Sequence, residues 1–389
     1  MRSKLQCKGS ILRAESTALA SAAVLLLAIV ATPWAQAQTY SVLYSFPGGS
    51  DGAEPFAGLV QSNGNLYGTT LMGGSAGYGS IFEITTNGTL TSLHSFDKTH
   101  GAYPDAGLIK ATDGNFYGTT DQGGSHGDGT IFKITSGGVF TSLHSFSSKD
   151  GAYPDAELVQ ATDGNLYGTT TRGGTHASGT VFKITPSGKL TTLHNFYNYS
   201  YPDAGLIQAT DGNLYGTTSK GGTNNDGTIF KITLAGALTT LHDFDFTDGS
   251  APVEKLVQGT DGNFYGTTSG GGANFSGTVF TITPGGTFTS LYSFCSQPTC
   301  DDGSFPSALI QVTDGNLYGV TYREGTKGNG TIFQITTGGS LTTLYSFNGN
   351  GTDGYHAVGA LMQDTNGDFY GTTAGGGANN DGVVFSLVP

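Results

Sequence analysis

The nine residues TDGNLYGTT at positions 162–170 decide the fold, because near-copies of them recur along almost the whole chain. The tyrosines of the copies lie at intervals of 50, 50, 48, 50, 53 and 52 residues. A fixed period near 50 residues indicates repeated supersecondary units. The aligned tyrosines are Tyr67, Tyr117, Tyr167, Tyr215, Tyr265, Tyr318 and Tyr370. The sequence therefore predicts seven copies of one unit.

One full unit, residues 156–196, divides into four short runs rich in Val, Ile, Thr, Phe and Tyr, the residues that favour strands. The runs cover residues 157–160, 165–170, 180–185 and 190–196. The dipeptide Asp163-Gly164 between the first two runs predicts a type I′ hairpin turn. Nothing between the runs has the period or the length of a helix. Each unit is predicted to be a four-stranded antiparallel meander.

The two ends of the repeat region complement each other. TYSVLYSF at residues 39–46 matches the fourth run of a unit, whereas GVVFSLVP at residues 382–389 matches a third run with no fourth after it. Pairing of these two segments would complete a seventh unit and remove the exposed sheet edges that an open solenoid keeps. The sequence predicts an all-β, seven-bladed β-propeller whose last blade is closed by the N-terminal strand, one strand plus three.

A family resemblance follows from these repeats. The pattern LYGTT-x-x-GG, then GT-[IV]-F-x-IT, then G-x-L-T-T-L-[HY]-x-F resembles the GloVer tandem repeat of exported, choice-of-anchor bacterial proteins, over residues 39–389. The resemblance implies a propeller-like repeat protein and carries no catalytic residues over. The period and the double glycine also resemble kelch propellers, although the only tryptophan, Trp34, precedes the repeats.

The first 37 residues have the features of a signal peptide. A basic start, an apolar run and the small-x-small pattern at Ala35 and Ala37 are typical of a cleaved leader, the alternative being an uncleaved membrane anchor. We expect residues 38–389 to form a single propeller domain that is secreted, periplasmic or at the cell surface, without membrane insertion. The leader holds four of the 16 Lys and Arg residues and one of the 29 Asp and Glu residues, so the remainder has a formal charge of −16. That charge argues against a nucleic-acid partner.

The repeat region contains two cysteines, Cys295 and Cys300. Two cysteines so close together in an oxidising compartment most simply pair, and a zinc site would need more soft ligands than this stretch offers. The sequence predicts a local disulfide here.

The candidate ligand site lies just before the first run of the unit. Units two, three and four read YPDAG, YPDAE and YPDAG, which places Asp105, Asp155 and Asp203 on adjacent blades, whereas the same position holds Phe56 and Val253 elsewhere. Three carboxylates near the channel mouth would suit Ca²⁺ or polar hydroxyl groups. The alternative is turn chemistry, with each carboxylate capping nearby N–H groups. No other metal or cofactor is predicted.

Two further features are a charged loop in unit six, which is a candidate site, and a series of histidines, which is not. In unit six, Arg323, Glu324 and Lys327 stand where other units carry mostly Gly, Ser, Thr and Asn, which makes this loop a candidate partner contact or simply a solvated charged loop. A series of histidines occupies one position of the fourth run, and we interpret it as structural because the outermost strands of separate blades cannot bring them to one ion. These histidines are His94, His144, His194 and His242.

Three classes of function fit these observations. The first is an exported, non-catalytic binding or scaffolding module that recognises a glycan or a cell-surface protein through its variable loop face. The second is a structural envelope component without a small ligand. The third is a propeller lyase or glycan hydrolase, for which Asp105 with Asp155 or Asp203 is the only acid pair available. We expect the first and assign no catalytic residue.

Overall fold

The computed structural model describes residues 38–349 and 351–388, and the leader predicted for residues 1–37 lies outside them. The described residues form seven four-stranded antiparallel sheets in a ring, together with one small two-stranded sheet. Each four-stranded sheet corresponds to one sequence repeat, and we number these seven sheets as blades 1 to 7 along the chain. The predicted seven-bladed β-propeller is confirmed.

The strands are as follows, from the innermost to the outermost of each blade. Blade 1 consists of β2 (Val60–Ser62), β3 (Asn65–Thr70), β4 (Ser80–Thr85) and β5 (Leu90–Ser95). Blade 2 consists of β6 (Ile109–Lys110), β7 (Phe116–Thr120), β8 (Thr130–Ile134) and β9 (Phe140–Ser145). Blade 3 consists of β10 (Val159–Gln160), β11 (Leu166–Thr170), β12 (Thr180–Ile184) and β13 (Leu190–Asn195). Blades 4 and 5 consist of β14 (Ile207–Gln208), β15 (Leu214–Thr218), β16 (Thr228–Ile232) and β17 (Leu238–Asp243), and of β18 (Val257–Gln258), β19 (Phe264–Thr268), β20 (Thr278–Ile282) and β21 (Phe288–Ser293).

Blade 6 consists of β22 (Ser304–Gln311), β23 (Leu317–Arg323), β24 (Thr331–Ile335) and β25 (Leu341–Ser346). Blade 7 consists of β27 (Met362–Gln363), β28 (Phe369–Thr373), β30 (Val383–Val388) and β1 (Thr39–Ser45). The small sheet pairs β26 (Gly354–Tyr355) with β29 (Gly375–Gly376), and one 3-10 turn covers Gly49–Asp51.

The N-terminal strand closes the ring as predicted. β1 pairs antiparallel with β30, from Thr39 opposite Val388 to Ser45 opposite Val383. Tyr40 also stacks on Tyr345 of blade 6, with ring centroids 4.2 Å apart. The same type of stack joins other blades, for example His94 to Phe140 at 3.9 Å. The N-terminal strand of blade 7 therefore contacts blade 6 through the same type of aromatic stack that joins blades 1 and 2.

The core lies between blades. Each hydrophobic cluster combines second- and third-strand residues of one blade with inner residues of the next; Tyr117 and Ile131 of blade 2, for instance, pack with Leu166 and Phe182 of blade 3. A cluster containing Phe46 joins blade 7 to blade 1 in the same way. Because a single blade has no partner for these side chains, the ring must form as a whole.

The Thr-Thr pair of the repeated phrase has a structural role at these junctions. The hydroxyl of Thr169 donates a hydrogen bond to the carbonyl of Ala204 in the next blade at 3.1 Å, and Thr170 pairs with Thr180 of its own blade at 2.9 Å. Thr372 of blade 7 donates to the carbonyl of Ala57 at 2.8 Å. The bonds of Thr169 and Thr372 link neighbouring blades, including the last to the first, whereas the Thr170–Thr180 contact joins two strands of one blade.

The predicted type I′ turn is wrong for the TDGN copies. The N–H of Gly164 donates to the carbonyl of Ala161, and only Gly164, at φ 79°, has a positive φ, which makes a tight turn followed by a left-handed glycine. Asp163 accepts hydrogen bonds from the N–H of Asn165 and from the hydroxyl of Tyr167. Blade 1 does have both central residues, Asn63 and Gly64, at positive φ. Its loop is one residue shorter than the TDGN loops.

Membrane-spanning helices are not found within residues 38–349 and 351–388: no helix there is long and apolar enough to cross a bilayer.

Candidate functional site

The centre of the ring contains a cavity of about 460 Å³. Its walls come from the segments that lead from each blade-to-blade connection into the next first strand. These connections pair with the loops between second and third strands, as Ala102 does with Gln122. We call the side of the ring formed by these connections and loops the connection face. The cavity is thus built by the repeat but lined by residues that differ between repeats.

All three predicted aspartates line this cavity. Asp105, Asp155 and Asp203 come from blades 2, 3 and 4. Asp155 accepts a hydrogen bond from Thr171 at 2.6 Å, and Asp203 accepts one from Ser219. Each of these two carboxylates therefore has one oxygen satisfied locally, but by a side-chain hydroxyl and not by the backbone N–H groups that the turn alternative predicted.

Asp105 differs from the other two. Neither of its oxygens accepts a hydrogen bond from a residue that the structure describes, and its Oδ1 is fully buried. Burial raises the pKa of Asp105 to about 6, with a smaller contribution from the Asp121 carboxylate. Burial also raises the pKa of Asp155 well above its ordinary value, and Asp203 and Asp105 raise it further. The three carboxylates share one poorly solvated space.

The sequence analysis missed Glu254 in blade 5. Glu254 lines the cavity and accepts a hydrogen bond from the hydroxyl of Ser307 at 2.7 Å. Burial raises the pKa of Glu254 to about 7, although the bond from Ser307 and the charge of Lys255 oppose the shift. A carboxyl group with this pKa is an even mixture of acid and carboxylate near neutral pH.

The sequence analysis also missed an ion pair inside the cavity. Lys255 of blade 5 binds Glu157 of blade 3. The two side chains keep 31% and 26% of their surface accessible, and that surface faces the cavity. Gly205 of blade 4 lies between them, and a Cβ there would come within 3.6 Å of both Cβ atoms. Burial lowers the pKa of Lys255, but the Glu157 carboxylate outweighs this effect, so the net shift is upward.

A sequence signal for this ion pair existed. Glu157 and Lys255 stand at the position where blades 1, 2 and 4 carry Gly58, Gly107 and Gly205. A charge that replaces glycine in a near-exact repeat has no role in forming the repeat. Comparison of the copies at that position would have found both residues.

The cavity predicts an unusual dependence of stability on pH. Burial lowers the pKa of His94, His194 and His356, which by itself makes the folded state more stable at higher pH. The folded-state pKa values of Asp105 and Glu254 lie further from their ordinary values of 3.8 and 4.5, so the cavity carboxyl groups bind more protons in the folded protein than in the unfolded chain between pH 4 and 7. The free energy of unfolding should therefore fall as pH rises through this range. Thermal melts at pH 5 and pH 8 should show a higher Tm at pH 5.

The variant Asp105→Asn tests this dependence. It should remove about 1.4 kcal/mol of the fall between pH 5 and pH 8, because the shift of Asp105 acts over about one pKa unit of this range. Asp301→Asn, at an exposed position outside the cavity, is the matched control. A difference in Tm between pH 5 and pH 8 that Asp105→Asn leaves unchanged would contradict the assigned shift.

The arrangement does not form a compact metal centre. Within residues 38–349 and 351–388, no three His, Cys, Asp or Glu side chains converge on one point where they could hold an ion. The carboxylates face a common cavity from separate blades instead. Calcium binding by Asp105, Asp155 and Asp203 remains a prediction.

The charged loop of blade 6 lies beside the disulfide. Cys295 and Cys300 are bonded, as predicted, and the carbonyl of Cys300 accepts a hydrogen bond from the N–H of Gly325 at 2.9 Å. Arg323 ends β23, with its guanidinium 5.5 Å from the ring centre of Tyr322. The loop with Arg323, Glu324 and Lys327 is thus held against its neighbour, and its role as a partner contact remains a prediction.

The histidine series lies on the outermost strands, one per blade, as expected for structural residues. His144 bonds to Asp150 at 3.1 Å and His242 to Asp248 at 2.8 Å, each partner being in the following connection. Tyrosines at the same position, such as Tyr345, bond to an aspartate in the same way. In these blades the position anchors the connection to the blade, whereas the ring nitrogen Nε2 of His94 is buried without a hydrogen bond to a described residue.

These features define the class of the protein: a seven-bladed β-propeller whose ring centre is a cavity lined by acidic side chains. The model of the Gloeobacter/Verrucomicrobia repeat matches residues 32–209 and 201–389, so the chain belongs to this repeat family. No curated protein sequence matches the chain.

Solved structures share the fold. The chain is similar to a streptogramin B lyase, with 16% identity, 90% of this chain and 97% of that chain covered, and a TM-score of 0.62. Virginiamycin B lyase from Staphylococcus aureus has 16% identity, 90% and 99% coverage, and a TM-score of 0.61. A putative 6-phosphogluconolactonase from Bacteroides fragilis has 19% identity, 80% and 88% coverage, and a TM-score of 0.54. At these identities the likeness concerns the fold alone.

Proposed function

We propose that the protein is an exported, non-catalytic binding module that holds a glycan on its connection face, with the central cavity as the deepest part of the site. The observation that carries this proposal is the distribution of exposed large apolar side chains. Of the seven in the described part of the chain, five lie in connections or second–third loops, Phe305 lies at the start of β22, and only Val139 lies in a third–fourth turn on the opposite face. The five are Met72, Tyr197, Tyr199, Phe246 and Phe275.

Aromatic rings and carboxylates together suit sugars. Phe246 and Phe275 stack on each other with centroids 5.7 Å apart, and Phe275 is 68% exposed. Exposed rings give sugars an apolar surface to stack on, and the carboxylates of the cavity accept hydrogen bonds from hydroxyl groups. Such a pairing of an apolar surface with a few directed polar groups is typical of ligand sites. Export is supported by the disulfide, which persists in oxidising compartments.

A glycan array with residues 38–389 tests the proposal. The best glycan should bind Phe275→Ala at least fivefold more weakly than the wild type, because the stacking surface is lost. Val139→Ala, on the opposite face, is the matched control and should bind normally. Binding of no glycan on the array would contradict the proposal and favour a scaffolding role, either toward a cell-surface protein or within the envelope.

A second candidate, a glycan hydrolase or lyase, is favoured by the raised pKa values of the cavity. Burial raises the pKa of Glu254 to about 7, so about half of this group keeps a proton at neutral pH, as a general acid needs, and Glu157 supplies a second carboxyl group in the same cavity. Mass spectrometry of the bound glycan after incubation distinguishes the candidates. Cleavage that Glu254→Gln abolishes would establish the enzyme, whereas an intact glycan supports the binding module.

A further inference from the structure

The Asp105 carboxyl group is the most unusual polar group of the cavity. It is partly buried with its Oδ1 atom fully enclosed, it lines the cavity, and no described residue donates a hydrogen bond to it. A buried carboxylate without a partner costs free energy, so such a group is normally paired, protonated or bound to a ligand. The charges of Asp105 and Asp155 repel each other across the same space, and the Asp121 carboxylate raises the pKa of Asp105 further, so Asp105 lacks compensation from within the protein.

Positive charge near these carboxylates is scarce. Among the described residues that line the cavity, Lys255 is the only cationic one, and Glu157 already binds it. Outside the lining, Arg172 and Lys220 lower the pKa of Asp203 only slightly against the larger effect of burial, while Asp121 adds a further negative charge beside Asp105. Asp105, Asp155, Asp203 and Glu254 thus leave the cavity short of positive charge.

The cavity also has an apolar part. Phe56, Val253 and Val358 line it at the positions where the other blades carry the aspartates or have a changed length. An aromatic ring beside carboxylates attracts an organic cation through its face as well as through charge. A bare metal ion fits less well, because no three acidic, histidine or cysteine side chains of the described residues converge on one point.

We propose that the cavity binds a ligand bearing a primary ammonium group, which contacts Asp105 while the body of the ligand lies against the apolar part. This inference rests on the proposed function and narrows it: the glycan form of such a ligand is an amino sugar that is not acetylated. An ammonium group has three N–H donors, and one of them can bond to the Asp105 carboxylate without any convergence of several carboxylates on one point. Its positive charge supplies the counter-charge that the Asp105 carboxylate lacks within the protein.

Two disaccharides that differ only in N-acetylation, and therefore in the charge of the amino groups, test the inference. Isothermal titration at pH 7 compares β-1,4-linked glucosamine disaccharide with its N-acetylated counterpart, using residues 38–389. The free amine should bind at least tenfold tighter, and Asp105→Asn should remove this preference, with Asp301→Asn as the control. Equal binding of both sugars would overturn the ammonium inference while leaving glycan binding intact.

Two further ligands, a simple diamine and calcium, show whether the bound cation belongs to an amino sugar, to another amine or to a metal. If 1,5-diaminopentane binds as tightly as the amino disaccharide, the ammonium inference stands and the glycan assignment of the proposed function fails. If neither amine binds at millimolar concentration, the inference is overturned. Calcium chloride alone should not raise Tm; an increase that Asp155→Asn abolishes would overturn the inference in favour of a shared calcium ion.

The diamine also gives a readout of Asp105 itself. Its amines stay charged between pH 5 and pH 7, so a change in affinity reports the protein. Binding should weaken about tenfold from pH 7 to pH 5, because Asp105, with a pKa of about 6, must then release a proton to bind the cation. An affinity independent of pH in this range would exclude Asp105 as the contact.

Discussion

Removal of residues 38–46 is expected to lower the free energy of unfolding by roughly 5–10 kcal/mol, because it leaves blade 7 without its outer strand. The deleted segment includes Phe46, which is fully buried between blades 7 and 1, and Tyr40, which stacks on blade 6. The deletion also exposes the edge of β30, and an exposed strand edge is a template for aggregation. For a chain of this size the Tm should fall by about 10 °C.

A synthetic peptide of residues 38–47 makes the experiment specific. Added to the truncated chain, it should restore the Tm in a concentration-dependent manner, since it binds only the folded ring. A peptide carrying Tyr40→Ser and Phe46→Ser is the matched control and should not restore it. An unchanged Tm after truncation would show that the ring closes without β1.

Loss of one partner of the cavity ion pair should have the second-largest effect. Glu157→Gln removes the bonded counter-charge of the Lys255 ammonium and leaves only the more weakly interacting Glu254 beside it, which should lower the free energy of unfolding by about 2–3 kcal/mol. This is somewhat less than the cost for a fully buried pair, because both side chains face the cavity space. Urea denaturation measures the change.

The double variant separates the ion pair from packing. Lys255→Met alone should also destabilise, whereas Glu157→Gln with Lys255→Met should recover most of the loss, because no unpaired charge remains. Lys189→Met removes an exposed lysine and serves as the control. Strictly additive effects of the two substitutions would mean that the side chains do not interact in solution.

The repeats made most of the fold predictable. Seven near-copies fix blade number and strand order, and the complementary ends at residues 39–46 and 382–389 predict the closure that β1 and β30 form. The turn at Asp163 was less predictable, since Asp-Gly suits several turns and the choice depends on loop length and on the bonds that Asp163 makes with Asn165 and Tyr167.

The candidate site was only partly predictable. Asp105, Asp155 and Asp203 were found because they depart from the repeat in three successive copies. Glu157 and Lys255 are single departures in different blades, and their pairing across Gly205 depends on the curvature of the ring. Sequence alone does not give the distance between blades 3 and 5, so the ion pair needed the structure.

The threonine bonds and aromatic stacks at blade junctions have a consequence for ancestry. Because Thr169 and Thr372 make the same type of junction contact, a blade copied or lost by unequal recombination meets compatible neighbours on both sides. The crossover need not fall at a blade boundary, since blade 7 is itself assembled from both ends of the chain. Gene duplication can therefore change the ring size in whole steps while the central residues diverge one by one.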